Sequence, residues 1–230
     1  MMRTRNVRRQ IVERVLKGIP IRSHFAISLK NAMDSLALSC EAGKPVITLQ
    51  VPSAIDTEPK VFAKFDIKNE LDEFEKDLSF LKFIQSDDVY NVEQFVDEEV
   101  ATAVELLYDA DHFHYFFTDR DGTLKSYSCS YPASIQPAYS GVIQAQFARR
   151  CAQTCAIVTT SPLMHLGILD VGTIPEGYYY YGASVGREWF IDPSNKFKDK
   201  SISEDELALL DKVNGILFII VSSVKNFLLV

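Results

Sequence analysis

Asp119-Arg120-Asp121-Gly122-Thr123 follows directly on a short aromatic run, Phe113 to Thr118 (FHYFFT). Side chains two apart on an extended segment point the same way, so Asp119 and Asp121 can address one ligand while Arg120 points to the opposite side. Paired carboxylates at the end of an apolar strand suit phosphoryl transfer with a hard divalent cation. The first, Asp119, can attack phosphorus to form an aspartyl-phosphate and also bind the metal. The second, Asp121, can protonate the leaving oxygen and complete the pair of metal-binding carboxylates. Gly122 permits a turn that keeps the loop close to a phosphate. Thr159 ends a second apolar run and can donate a hydrogen bond to a phosphoryl oxygen. The same five residues would also make an ordinary strand-to-loop turn with solvated acids, since Asp and Gly favour turns. Their position after a strand selects the catalytic reading.

The elements that must position these residues are an α/β unit. Phe113 to Thr118 has strong strand preference. Pro137 suits the first turn of a helix reaching about Arg150, and Thr154 to Thr159 (TCAIVT) is a second strand. Strand, crossover helix and parallel strand form one unit of an open sheet, in which ligands bind beyond the carboxyl ends of the strands. Before residue 110 the apolar residues recur at helical spacing: Ile11, Val12, Val15 and Leu16, then Phe25, Leu29, Met33 and Leu36, with Gly43 and Pro45 as a stop. Further helices are expected over Phe62 to Ile84 and from Asn91 onward, together forming a small bundle. The acids they carry, among them Asp72, Glu73, Glu75 and Asp77, read as a solvated face or as a docking surface for a basic protein partner. The expected organisation is a helical region over 1–110, an α/β core over 111–214 and an apolar tail over 215–230.

Composition narrows the function classes. The 230 residues are 47% hydrophobic, ordinary for a globular protein, and Lys+Arg 24 against Asp+Glu 31 leave a net charge of −7, which disfavours a nucleic-acid partner. Cys40, Cys129, Cys151 and Cys155 have neither disulfide-scaffold nor zinc-site spacing. They are expected to be small apolar residues of a reducing, cytoplasmic compartment. His24, His112, His114 and His165 form no metal motif. The basic first thirty residues read as a solvated helix, or alternatively as a mitochondrial presequence. The longest apolar stretch, Ile216 to Val230, is interrupted by Ser222, Ser223, Lys225 and Asn226 and is too short to span a bilayer, so no membrane association is expected.

Asp119, Asp121, Gly122 and Thr123 resemble the first motif of the haloacid dehalogenase superfamily of phosphatases, and Thr159 resembles its second. A longer stretch, FFTDRDGTLKSYSCSYPASIQPAYSGVIQAQFARRCAQTCAIVTTSPLMHLGILDVG followed by GASVGREWF, is similar to the nematode-type trehalose-6-phosphate phosphatases. Its most specific markers are Gln136-Pro137-Ala138-Tyr139-Ser140, Pro162-Leu163, Gly167-Ile168-Leu169-Asp170 and Gly186-Arg187-Glu188-Trp189. The resemblance implies a Rossmann-like parallel sheet after a helical region, an Mg²⁺ cofactor and trehalose 6-phosphate as substrate. It makes Gly122, Thr123 and Thr159 phosphate ligands. Arg120 stands where those enzymes have Trp, and it resembles the phosphatases of glucosylglycerol phosphate in this.

The family also needs a Lys motif, a later acidic pair and a cap domain. Lys196, Lys198, Lys200 and Lys212 are candidates for the Lys motif, but no strand with an acidic pair follows them. Ser203 and Glu206 read as a helix capping box. The resemblance ends at Asn214, and the expectation is a truncated product whose last residues are foreign to the family. Two alternatives stand beside an active phosphatase: an inactive fragment that serves as a binding or regulatory module, and a phosphatase of another sugar phosphate.

Overall fold

The computed structural model describes residues 2–39, 46–51, 61–86, 112–127, 134–164 and 167–198, and positions 203–206, 208, 209, 212 and 213. Helices α1 (Met2–Leu16) and α2 (Ser23–Leu38) pair through Ile11, Val12, Phe25 and Leu29, all buried and spaced so that each helix turns one apolar stripe inward. The predicted helix from Phe62 begins later. Strands β1 (Val46–Val51) and β2 (Val61–Asp66) form an antiparallel hairpin with Val46 opposite Asp66 and Val51 opposite Val61. Val, Ile and Phe prefer this ladder to a helix, and the helical periodicity of the downstream residues masked them. Asp66 then caps helix α3 (Ile67–Phe83), its carboxylate accepting from Asn69 N at 3.1 Å. The helix expected from Asn91 lies outside the described residues.

The basic first helix is not simply solvated. Arg8 is fully buried, its Nε donating to Asp77 Oδ2 at 2.7 Å and its Nη1 to Glu70 Oε1 at 3.0 Å, with its guanidinium 4.5 Å from the Phe74 ring centroid. Helix α4 (Ala138–Arg150) joins the same cluster. Tyr139 N donates to Asp77 Oδ1 at 3.0 Å, and Tyr139 OH donates to Glu73 Oε2 at 3.0 Å. Glu70, Glu73 and Asp77 are therefore buried partners of one arginine and one helix start, whereas Asp72 and Glu75 are exposed as expected. Buried carboxylates persist only where donors satisfy them, and this cluster supplies those donors.

Helix α4 has two apolar faces. Ala138 and Val142 close the core of the helical bundle, while Ala145 belongs to the core under the sheet. The sheet contains β3 (Phe113–Thr118), β4 (Ala152–Val158), β5 (Tyr180–Ala183), β6 (Glu188–Asp192) and β7 (Asn195–Lys198), in that spatial order. As predicted, β3 and β4 are parallel, with Thr118 opposite Ile157. β5 continues the parallel set of the expected open α/β sheet, and β6 extends it antiparallel. A four-residue helix, α5 (Ile168–Val171), lies between β4 and β5, and Arg5 of α1 donates to the carbonyls of Leu169 and Gly172 at its end.

A first compact unit covers Met1–Lys196 and a second covers Phe197–Val230. In the second, Ser203 and Glu206 form the predicted capping box: Glu206 N donates to Ser203 Oγ at 3.2 Å and Ser203 N to Glu206 Oε2 at 2.8 Å. Among the described residues no helix is long and apolar enough to cross a membrane.

Candidate active site

Asp119 is the first residue after β3 and Thr159 the first after β4, so parallel pairing sets them at the same sheet edge. A cleft of about 930 Å³ opens there, with Asp119, Asp121 and Thr159 in its wall. Thr159 is buried. Its backbone N donates to Gly182 O at 2.8 Å, and its Oγ1 accepts from Ser161 N at 3.1 Å. That acceptor role leaves the hydroxyl hydrogen available to an oxygen in the cleft. Thr160 and Ser161 continue the wall.

Arg120 corrects one prediction. Alternation was expected to send it away from the two acids, yet its Nη1 donates to Asp121 Oδ1 at 2.7 Å. The strand ends at Thr118, so the two-residue alternation no longer governs the chain after it. Arg120 is 2% exposed, and its Nη2 donates to the backbone carbonyl of Ser134. Ser134 Oγ donates in turn to Asp121 Oδ1 at 2.8 Å. The carbonyl of Arg120 accepts from Leu124 N at 2.8 Å and Lys125 N at 3.0 Å, closing the loop over residues 121–125.

Gly122 has φ +91°, and a Cβ there would lie 2.3 Å from Cε2 of the Tyr127 ring, so both the turn and the close approach require glycine. Gly122 and Thr123 shape this turn, but neither lines the cleft. Tyr127 does, and it is fixed from the helical side by Asn69, whose Nδ2 donates to Tyr127 O at 2.9 Å. Ser140 Oγ donates to Leu124 O at 3.1 Å and ties the same loop to α4.

The turn between β5 and β6 forms another wall. Ser184 and Val185 have φ 49° and 58°, Gly186 has φ 84°, and Val185 N donates to Thr159 O at 3.3 Å. A β-branched residue in this region is strained, and Val185 is also 77% exposed beside the cleft. Trp189, the chain's single tryptophan, packs against Gly182, where a Cβ would sit 3.3 Å from the indole, and its Nε1 donates to Gly186 O at 2.6 Å. Glu188 Oε2 accepts from Leu163 N at 2.6 Å and anchors the loop after β4. The Gly-Arg-Glu-Trp marker is thus a wall of the cleft and its fastening. The sequence reading missed Tyr127, Ser161, Val185 and the pairing of Arg120 with Ser134. The hydroxyl run Thr159-Thr160-Ser161 and the lone tryptophan were the available signals.

Of the candidate lysines, Lys196 is the one among the described residues of this unit, and it does not line the cleft. Lys196 Nζ lies 5.5 Å from the Phe190 ring centroid, Lys198 and Lys212 belong to the second unit, and Lys200 lies outside the described residues. Cys155 is buried, its thiol pushed up by that burial, and Cys151 is half-buried. Cys40 and Cys129 lie outside the described residues. Among the described residues, no group of three His, Cys, Asp or Glu side chains is placed to hold an ion. Asp119 and Asp121 offer two carboxylates, which fits Mg²⁺, an ion commonly held by one or two carboxylates together with waters and a substrate phosphate.

Two family models match the chain. Residues 1–99 match the trehalose-6-phosphate phosphatase N-terminal helical bundle domain, and residues 116–228 match the trehalose-6-phosphate phosphatase C-terminal domain. The chain belongs to the trehalose-6-phosphate phosphatase family. The C-terminal match continues past Asn214, through most of the apolar stretch. Alpha,alpha-trehalose-phosphate synthase [UDP-forming] 2 of Aphelenchoides avenae is 69% identical over 227 residues, which cover 93% of this chain and 17% of that protein. The synthase 2 of Caenorhabditis elegans is 67% identical, over 90% of this chain and 18% of its own length. The trehalose-phosphatase of Caenorhabditis elegans is 38% identical over 91 residues, 39% of this chain and 21% of that protein. This phosphatase-family chain therefore spans a small part of the curated relatives it matches.

Proposed function

We infer that the cleft hydrolyses trehalose 6-phosphate to trehalose and inorganic phosphate. The observation that carries this reading is the convergence of Asp119, Asp121 and Thr159 on one cleft at the carboxyl ends of two adjacent parallel strands. In this reading Asp119 attacks phosphorus and the bond from phosphorus to the sugar oxygen breaks. Asp121 gives that oxygen its proton. Water then attacks the aspartyl-phosphate, losing a proton to Asp121, and phosphate leaves Asp119 free. The Thr159 hydroxyl binds a phosphoryl oxygen throughout. Mg²⁺, when held by Asp119 together with waters and the substrate phosphate, would offset phosphate charge, while the Asp121 carboxyl carries the proton.

Tyr127 and Trp189, which line the same cleft as the acids, suit the apolar face of a sugar ring. The named activity of the synthase relatives supports the choice of sugar, because a trehalose-phosphate synthase yields the phosphate ester that this segment would hydrolyse. The decisive experiment measures phosphate release from trehalose 6-phosphate with Mg²⁺. Release is expected to vanish in Asp119→Asn and on chelation. Turnover retained in Asp119→Asn would remove the nucleophile assignment, and faster turnover of another sugar phosphate would change the substrate.

A further inference from the structure

Asp121 has two carboxylate oxygens, and they do not have the same surroundings. Oδ1 accepts from Arg120 Nη1 at 2.7 Å and from Ser134 Oγ at 2.8 Å. Both donors are buried, Arg120 at 2% and Ser134 at 1% exposure, while the Asp121 side chain retains 18% exposure and lines the cleft. Arg120 is itself held on the Ser134 carbonyl, and its own carbonyl closes the loop that carries Asp121. Two donors on one oxygen fix the plane of the carboxyl group and occupy that oxygen's lone pairs. Neither donor reaches Oδ2, the oxygen that Asp121 has left for the cleft it lines.

Resting on the hydrolytic reading above, we propose that Arg120 is a positioning residue, acting with Ser134 to pin Asp121 through Oδ1 so that Oδ2 alone carries the transferred proton. In the first half-reaction the sugar oxygen takes the proton from Oδ2 as its bond to phosphorus breaks. In the second, Oδ2 takes a proton from the attacking water. Arg120 does not touch the substrate. Its effect is confined to steps in which Asp121 moves a proton.

That confinement supplies the test. An alkyl phosphate such as trehalose 6-phosphate needs the proton in order to leave, whereas nitrophenolate leaves without it. The full chain and its Arg120→Met, Arg120→Lys and Ser134→Ala variants are assayed with Mg²⁺ on both substrates, with the aryl ester followed as its first-turnover burst. Arg120→Met is expected to lower kcat on trehalose 6-phosphate about 10²-fold, the cost of a misplaced catalytic group. The aryl burst should remain, and Arg120→Lys should recover part of the loss. Ser134→Ala should reproduce the same selective loss more weakly, which keeps the test open if Arg120→Met fails to fold. Equal loss on both substrates, or no loss on either, overturns the positioning role. A wild-type chain inactive on both substrates would instead overturn the hydrolytic reading, and with it the proton transfer that Arg120 serves.

Discussion

Thr159 and Gly122 show how single atoms define the site. Replacing Thr159 by Val keeps the shape and removes the hydroxyl, leaving Ser161 N without its acceptor. Because the lost bond would be to a charged phosphate, kcat/KM for trehalose 6-phosphate should fall about 10- to 100-fold, from a charge-assisted hydrogen bond of roughly 1.5–3 kcal/mol. Steady-state kinetics of the variant measure it. Gly122→Ala places a methyl group against Tyr127 at a positive φ and should destabilise the chain by about 1–3 kcal/mol, read from its urea midpoint. Asp119, Asp121 and Thr159 were legible in the sequence because each sits where an apolar run stops, and strand ends are what position a site. Arg120 was not legible in the same way. Its role follows from a bend after Thr118 that two-residue alternation cannot anticipate.

At the scale of elements, the acids of α3 have a different meaning from the one their composition suggested. A run of Asp and Glu reads as solvated when its cationic partner lies far away in sequence, and Arg8 is some sixty to seventy residues from Glu70 and Asp77. The same limit hid the β1–β2 hairpin, whose strands are identified by each other and not by either alone. Arg8→Met should cost about 3–5 kcal/mol in denaturant unfolding, because it leaves buried carboxylates without their counter-charge. Adding Glu70→Gln and Asp77→Asn to that variant should recover part of the loss.

For the molecule as a whole, three tyrosines make alkaline stability a measurable property. Burial pushes the Tyr181 phenol up to about 12, although the positive charges of Arg120 and Arg9 oppose the shift. Tyr139 and Tyr179 are also raised, by burial first, and then by Glu73 beside Tyr139 and Cys155 beside Tyr179. An unfolded tyrosine ionises near pH ~10. The raised folded values therefore contribute stability that is intact below about pH 10 and is lost as pH rises from there through about 12. Ultraviolet titration should show a delayed group of phenols whose ionisation coincides with loss of helical circular dichroism. Helix α4 binds the two halves of this unit more tightly still. Gly141 lies where a Cβ would come within 2.5 Å of Thr173 Oγ1 and 3.0 Å of Val12 Cγ2. Any lineage that enlarged this position would need matching reductions on both the first helix and the loop before β5, so the helical and catalytic segments can diverge here only in step, as one heritable unit.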